Sequence, residues 1–255
     1  MTAAVVTGAG RGLGRGIAVA LAASGFDIIV GYRDDADAAS GTAGLVEAQG
    51  RRAKTVQGDI ADPSTANRLL DAACTFGGLG AWVNNAGVSM LAPILDTTVD
   101  DLTTMLGANV IGTFHGMQAA ARAFLADGRP GRIVNLASDL GVQAAANLGA
   151  YSATKFAVVG LTQAAAVEWA ADSITINAVC PGTAETDMVL AERQQEAKLS
   201  TATTKDIRNA YLDAIPAGRF CTPEDVGGLV AWLCGGAAGY VTGQAICING
   251  ASILH

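Results

Sequence analysis

An open, doubly wound α/β sheet of about seven parallel strands, covered by helices on both faces, is the fold class the sequence predicts. Three observations predict it. Short apolar runs rich in Val and Ile alternate along the chain with longer stretches whose apolar residues recur at helical spacing. The first run ends in a glycine cluster, Gly8, Gly10, Gly12 and Gly14, directly before a helical stretch. Strand and helix continue to alternate to the end, which implies parallel pairing through right-handed crossovers, a Rossmann-type topology.

In order, Ala3 to Thr7 reads as the first strand and Leu13 to Ser24 as the first helix, stopped at Gly25. Asp27 to Tyr32 is a second, buried strand, followed by a helix from Ala36 to Gln49 and a strand from Ala53 to Gln57. A helix from about Pro63 leads to the strand Ala81 to Val83, then to one long helix from Asp100 to Ala126. Arg132 to Leu136 is the next strand, Ser152 to Ala171 a helix that is apolar nearly all round, and Ile174 to Val179 a strand. Residues 187–219 are the most polar part of the chain, with a weak helical period, and are expected to form a lid. Thr222, Pro223, Glu224 and Asp225 supply an N-cap, a proline at the first helical position and first-turn acids, so a helix opens there. The last strand is expected from Gln244 to Ile248.

Residues 1–255 read as a single domain: 51% apolar residues and 15% charged residues exclude disorder and suffice for one large core. The five cysteines, Cys74, Cys180, Cys221, Cys234 and Cys247, are odd in number and scattered, as expected of reduced thiols in a cytoplasmic protein. A net charge of -7 with no run of Lys or Arg argues against nucleic-acid binding. No clean apolar stretch of about 18 residues is present, so no membrane span is expected. No basic segment precedes an apolar one, so no secretory signal is expected. His115 and His255 make no metal site.

The glycine cluster sits where such a sheet places its ligand, at the carboxyl end of the first strand and the start of the first helix. Backbone amides there approach a pyrophosphate, which the helix dipole also favours. The pattern is T-G-x-x-x-G-x-G, because Leu13 occupies the place of the third glycine in G-x-G-x-x-G. At the end of the second strand, where an acid would accept from the adenosine ribose, Tyr32 stands instead and Arg33 follows it. Arg33 and Arg11 make a guanidinium fork for a 2′-phosphate, which favours NADP(H) with NAD(H) as the alternative; Asp34 and Asp35 lie beside that fork.

Tyr151 and Lys155 lie one turn apart on one side of a helix. A free phenol titrates near pH 10, and an adjacent ammonium favours the phenolate, so this spacing suits a general acid/base. Ser138, at the carboxyl end of a strand, faces the same crevice as the glycine turn.

With these motifs goes a wider pattern: Thr7 to Gly14, Asp59, Asn84-Asn85-Ala86-Gly87, Asn109, Ser138, Tyr151 with Lys155, and Pro181-Gly182 followed by Thr186. In that order and spacing the chain resembles the short-chain dehydrogenase/reductase family, and within it the 3-oxoacyl reductase-like members, from Val5 to about Gly250. The resemblance implies that Tyr151 is the general acid/base and that Ser138 hydrogen-bonds the substrate oxygen. It implies that Lys155 grips the nicotinamide ribose and lowers the tyrosine pKa, while Asn109 holds a water for proton relay. Gly8, Arg11, Gly12 and Leu13 would meet the phosphates, Asp59 and Ile60 the adenine, Asn85, Ala86 and Gly87 the adenosine side. Pro181, Gly182, Ala184 and Thr186 would meet the carboxamide face. The implied reaction interconverts a small-molecule carbonyl and alcohol by hydride transfer, with NADP(H) favoured. Two alternatives stand beside it, reduction of a 3-oxoacyl thioester on acyl carrier protein or CoA, and a non-catalytic NADP-binding regulatory protein. Asp172 stands where carrier-protein reductases often present a basic residue, and the acidic chain would repel an acidic carrier. Substrate contacts are expected from Ser89, Asp139, Gln143, Asn147 and Met188. The all-round apolar helix implies a homo-oligomer, a tetramer or dimer as is common in the family.

Overall fold

The computed structural model describes residues 2–254. Seven strands form one parallel sheet: β1 (Ala3–Val6), β2 (Asp27–Tyr32), β3 (Ala53–Gln57), β4 (Leu79–Asn84), β5 (Gly131–Leu136), β6 (Ile174–Pro181) and β7 (Ala245–Ile248). Their spatial order is β3-β2-β1-β4-β5-β6-β7, and every pairing is parallel. The class read from the alternation is the class observed. The order reverses direction between β1 and β4, which opens a crevice at their carboxyl ends.

The central strands are apolar on both sides because both sides are covered. In β1, Ala4 and Val6 enter a core with Ile17, Leu21, Ile28, Val30 and Val230. Ala3 and Val5 enter the opposite core with Ile29, Trp82, Phe124, Ile133 and Ile176. The first layer is built by α1 (Gly12–Ala23), α2 (Ala36–Glu47) and α9 (Pro223–Cys234), with α1 packed along α9. The second is built by α3 (Pro63–Cys74), α5 (Gly112–Asp127) and α6 (Gly149–Trp169). Polar groups inside this second layer satisfy one another: Trp82 Nε1 donates to Asn84 Oδ1 (2.7 Å), Asn84 Nδ2 to Asn135 Oδ1 (2.9 Å) and Asn135 Nδ2 to Thr162 Oγ1 (2.9 Å). At the start of β2 the buried Asp27 carboxylate is held by Arg51 and Arg52; these contacts outweigh its burial and keep its pKa below the usual range.

Local signals account for the helix boundaries. Asp62 caps α3 ahead of Pro63, and Thr222 with Asp225 forms a capping box around Pro223. The long helix expected from Asp100 to Ala126 is instead three consecutive pieces: α4 (Val99–Met105), a π turn (Leu106–Ile111) and α5, ended by Gly128 in the left-handed region. The polar segment 187–219 contains two helices, α7 (Asp187–Leu199) and α8 (Thr204–Asp213), each with a threonine N-cap. No helix among the described residues is long and apolar enough to cross a membrane.

Candidate active site

A cleft of about 520 Å³ runs over the carboxyl ends of β1, β4 and β5, within the range of small-molecule sites. Its floor is the glycine turn. Gly8 has φ of +63°, and a Cβ on Gly14 would lie 2.3 Å from the Gly8 carbonyl oxygen and 2.5 Å from Asn85 Nδ2, so a side chain there would push the turn apart. This chain's glycines therefore leave backbone facing the cleft at a helix N-terminus, the arrangement a dinucleotide pyrophosphate requires. Gly8, Arg11, Gly12 and Leu13 all line it.

One end of the cleft is formed by Tyr32, Arg33, Asp59 and Ile60. Arg33 Nε bonds the Asp34 carboxylate at 2.7 Å and Arg11 Nη1 meets Asp187 at 3.2 Å, both pairs well exposed. Asp59 accepts from the Ala61 amide (2.9 Å). Asn85, Ala86 and Gly87 line the middle of the cleft. The Asn85 and Ala86 amides donate to Thr7 Oγ1 (2.9 and 3.0 Å), and Asn85 Nδ2 to the Thr7 carbonyl (2.9 Å), so this loop is bolted to the glycine turn.

At the other end, Tyr151 and Lys155 reach the cleft from α6, while Pro181, Thr186 and Met188 close it from the β6–α7 connection. The Lys155 Nζ donates to the Leu136 carbonyl (2.8 Å) and lies 5.6 Å from the Tyr151 ring centroid. Burial pulls its pKa down to about 8. Burial also pushes the Tyr151 phenol up, the Glu192 and Asp139 carboxylates add to that, and the Ser138 hydroxyl opposes it. The lowered phenol expected from Lys155 is thus not a property of the protein alone: the ammonium is itself destabilised by burial and spent on Leu136.

Ser138 Oγ donates to Asp139 (3.2 Å) and accepts from the Leu140 amide (3.1 Å). Asn109 sits in the π turn. Its Oδ1 accepts from the Val88 amide (2.8 Å), and its Nδ2 donates to the Val88 carbonyl and to Thr154 Oγ1 (both 2.9 Å). Thr154 in turn donates to the Tyr151 carbonyl (2.7 Å), which ties Asn109 to the helix carrying Tyr151 and Lys155. Thr113 Oγ1 donates to the Asn109 carbonyl (2.8 Å).

Some expected residues stand elsewhere. The Gly182 amide bonds the Ile248 carbonyl (3.1 Å) and Ala184 bridges to Cys221; like Ser138 and Asn109, neither is among the residues that line the cleft. Of the substrate candidates, Ser89 and Met188 line it, Asp139 is largely buried against Ser138, Gln143 is exposed, and Asn147 uses its carbonyl to accept from the Ala92 amide (2.8 Å). Glu192, Thr113 and Thr154 were not singled out from sequence; Glu192 had one signal, its place four residues after Met188 on a helix. Among the described residues no group of His, Cys, Asp and Glu forms a metal site.

This fold and site together define a dinucleotide-type α/β oxidoreductase. A family model described as enoyl-(acyl carrier protein) reductase matches residues 8–251. The chain is 42% identical over 257 residues to the L-2,3-butanediol dehydrogenase of Corynebacterium glutamicum, covering 99% of this chain and 98% of that one. The crystal structure of acetoin dehydrogenase from Enterobacter cloacae superposes with a TM-score of 0.85 at 36% identity, covering 98% of this chain and 94% of that one. A provisional 2-deoxy-D-gluconate 3-dehydrogenase of Agrobacterium tumefaciens with bound NADP matches at a TM-score of 0.85 and 35% identity, over 98% and 95% of the two chains. The chain belongs to the short-chain dehydrogenase/reductase family.

Proposed function

We propose that the protein is an NADP(H)-dependent oxidoreductase that interconverts a small-molecule carbonyl and alcohol, with Tyr151 as general acid/base. The observation that carries this reading is that Tyr151 and Lys155 line the same cleft as the glycine turn. A bound nicotinamide dinucleotide supplies or accepts the hydride. Gly8, Gly12 and Leu13 would hold its pyrophosphate at the start of α1, and Arg11 and Arg33, both in the cleft, its 2′-phosphate. Asp59 and Ile60 would flank the adenine.

In the reduction direction the Tyr151 hydroxyl gives its proton to the substrate oxygen as the carbonyl carbon becomes a carbinol, and Ser138 Oγ donates a hydrogen bond to that oxygen. The buried phenol needs a nearby positive charge to pass through phenolate. Lys155, whose ammonium lies 5.6 Å from the Tyr151 ring, would provide it and would hold the nicotinamide ribose. Asn109, fixed by Val88 and Thr154, would hold the water through which the proton is replaced. The segment 187–219, with α7 and α8, acts as the lid of a single catalytic domain.

The test is loss of NADPH and of NADH absorbance with small ketones, diketones, sugars and acetoacetyl-CoA, beside Tyr151→Phe. Consumption that needs Tyr151 and prefers NADPH is the expected result. Turnover unchanged in Tyr151→Phe overturns the mechanism. The description of the family model favours a second reading, reduction of a carrier-bound or CoA thioester, and preferential turnover of acetoacetyl-CoA would select it.

A further inference from the structure

Beyond the end of β5, Ser138 caps a short 3-10 turn, Asp139–Gly141, that packs on α6: a Cβ on Gly141 would stand 2.9 Å from the Lys155 carbonyl oxygen. A serine hydroxyl has one hydrogen and two lone pairs. At Ser138 the Leu140 amide donates to one lone pair (3.1 Å), and the hydrogen is donated to Asp139 Oδ1 (3.2 Å). What is left for any further partner is a lone pair. A carbonyl oxygen also only accepts, so Ser138 in this state has no hydrogen to offer one.

The surroundings of Asp139 favour its neutral form. The titratable groups that its charge reaches are Tyr151 on α6, Cys180 on β6, Cys247 on β7 and Cys221 ahead of α9, all of them acids that burial pushes up. Cys180 and Cys247 stand opposite each other in the β6–β7 register, and the nearby Lys155 ammonium on α6 is turned to the Leu136 carbonyl (2.8 Å). On its other side the carboxyl meets Gly182, where a Cβ would stand 3.3 Å from Asp139 Oδ2, and the Ser252 hydroxyl. Burial outweighs the hydrogen bonds from Ser138, Leu140 and Ser252 and holds the Asp139 pKa above the usual carboxylate range.

We propose that Asp139 is a positioning residue that sets the direction of the Ser138 hydrogen bond: when protonated it donates to Ser138 Oγ, and the serine hydrogen then turns to the substrate oxygen. This rests on the function proposed above, in which Ser138 donates to that oxygen. The Asp139 O–H and the Leu140 amide together fill both lone pairs of Oγ, so the substrate oxygen is the acceptor left for the hydrogen. The Asp139 proton stays on its carboxyl, and Tyr151 remains the group that gives its proton to the substrate. An ionised Asp139 instead keeps the serine hydrogen in a charge-assisted bond. The donor to the charge that builds on the reacting oxygen is therefore lost as pH rises through the titration of Asp139.

The test follows kcat for reduction of diacetyl by NADPH in the wild type and in Asp139→Asn, whose carboxamide can donate to Ser138 at every pH. From about pH 5 to about pH 8 the ratio of variant to wild-type kcat is expected to rise from about 1 to about 10, with KM for diacetyl changed by less than about 3-fold. Tyr151 and Lys155 titrate in both proteins, so the ratio isolates Asp139. A level ratio, or a folded Asp139→Asn that binds NADPH and is inactive at every pH, overturns the proposal. Carboxyl NMR of protein labelled at its aspartates, with the Asp139 signal identified by its loss in Asp139→Asn, reads the coupling without turnover. Asp139 is expected to titrate above the ordinary value of about 3.9, and Ser138→Ala to move its midpoint up by about one pH unit further, because the ionised form loses a donor. A midpoint at the ordinary value, or one that Ser138→Ala leaves in place, overturns the proposal. If the wild type reduces no carbonyl with either nucleotide, the proposed function fails, and the NMR titration still decides whether Asp139 governs the Ser138 hydrogen.

Discussion

At the foot of the cleft, Lys155 is 5% exposed and its ammonium has the Leu136 carbonyl as its bonded partner. Its pKa falls to about 8 against 10.5 for a free lysine, so folding opposes its protonation. Below about pH 8 both folded and unfolded chains carry that proton and the penalty is fully present; it fades as pH rises from about 8 toward 10.5. Lys155→Met is therefore expected to abolish turnover and to raise stability at pH 7 by at least about 1 kcal/mol, with the gain shrinking by pH 10. Thermal melts at the two pH values check it. Arg33 is the corresponding case at the adenosine end: it already holds Asp34, so a 2′-phosphate has only to displace an exposed pair worth little. Arg33→Ala is expected to raise KM for NADPH by about 10-fold, the loss of one charged hydrogen-bonded contact, and leave NADH nearly unchanged. Equal effects on both nucleotides would remove the arginine from the assignment. Tyr151, Lys155 and Arg33 were legible in sequence because their chemistry lies in short spacings at strand and helix ends. Ala191 was not, since the face of α7 that meets the cleft is decided by how residues 182–186 lead away from the sheet. Gly182 and Ala184 show the converse: a motif brought them to the right loop, but their own contacts turn to Ile248 and Cys221.

Among the elements, the strands and most helices were readable because period, caps and glycine stops agree locally. Two elements were not readable to the same degree. The break in the helix around Asn109 has no proline to announce it; α4 and α5 share one continuous helical pattern, and the wide turn emerges where Asn109 is held by Val88 and Thr154 from outside the helix. Helix α7 has weak apolar periodicity, and α7 and α8 are secured by Thr186 and by the Thr203–Asp206 capping box, with Arg193 and Arg208 against Phe220. Where a cap is strong, its removal is measurable. Thr222 caps α9, accepts from the Asp225 amide (3.2 Å), and stands at the end of the helix that covers α1. Thr222→Ala is expected to cost about 1 kcal/mol in a denaturant titration, with the midpoint reduced and the slope unchanged.

For the whole molecule, the apolar surface of α5 and α6 matters most. Phe114 is 42% exposed on α5, while Phe156 and Val167 on α6 are 45% and 84% exposed. A helix pair that shows such side chains beside a fully packed inner face has two apolar sides, and the second is proposed to be covered by another copy of the chain as a dimer or tetramer. Sedimentation velocity is expected to give an oligomer, and Phe156→Glu with Val167→Glu to lower its mass while the circular dichroism spectrum stays the same. A monomer in the unaltered protein would reject that surface. The packing of α1 on α9 has a consequence of a different kind. The helix whose first turn forms the floor of the cleft leaves the ribosome long before the helix that covers it, Pro223–Cys234. Until then Ile17 and Leu21, both fully buried in the finished fold, lack part of their cover. A nascent chain stalled before residue 222 would thus present a bare apolar flank to chaperones, so the order of synthesis makes completion of the layer behind the glycine turn wait for translation of α9.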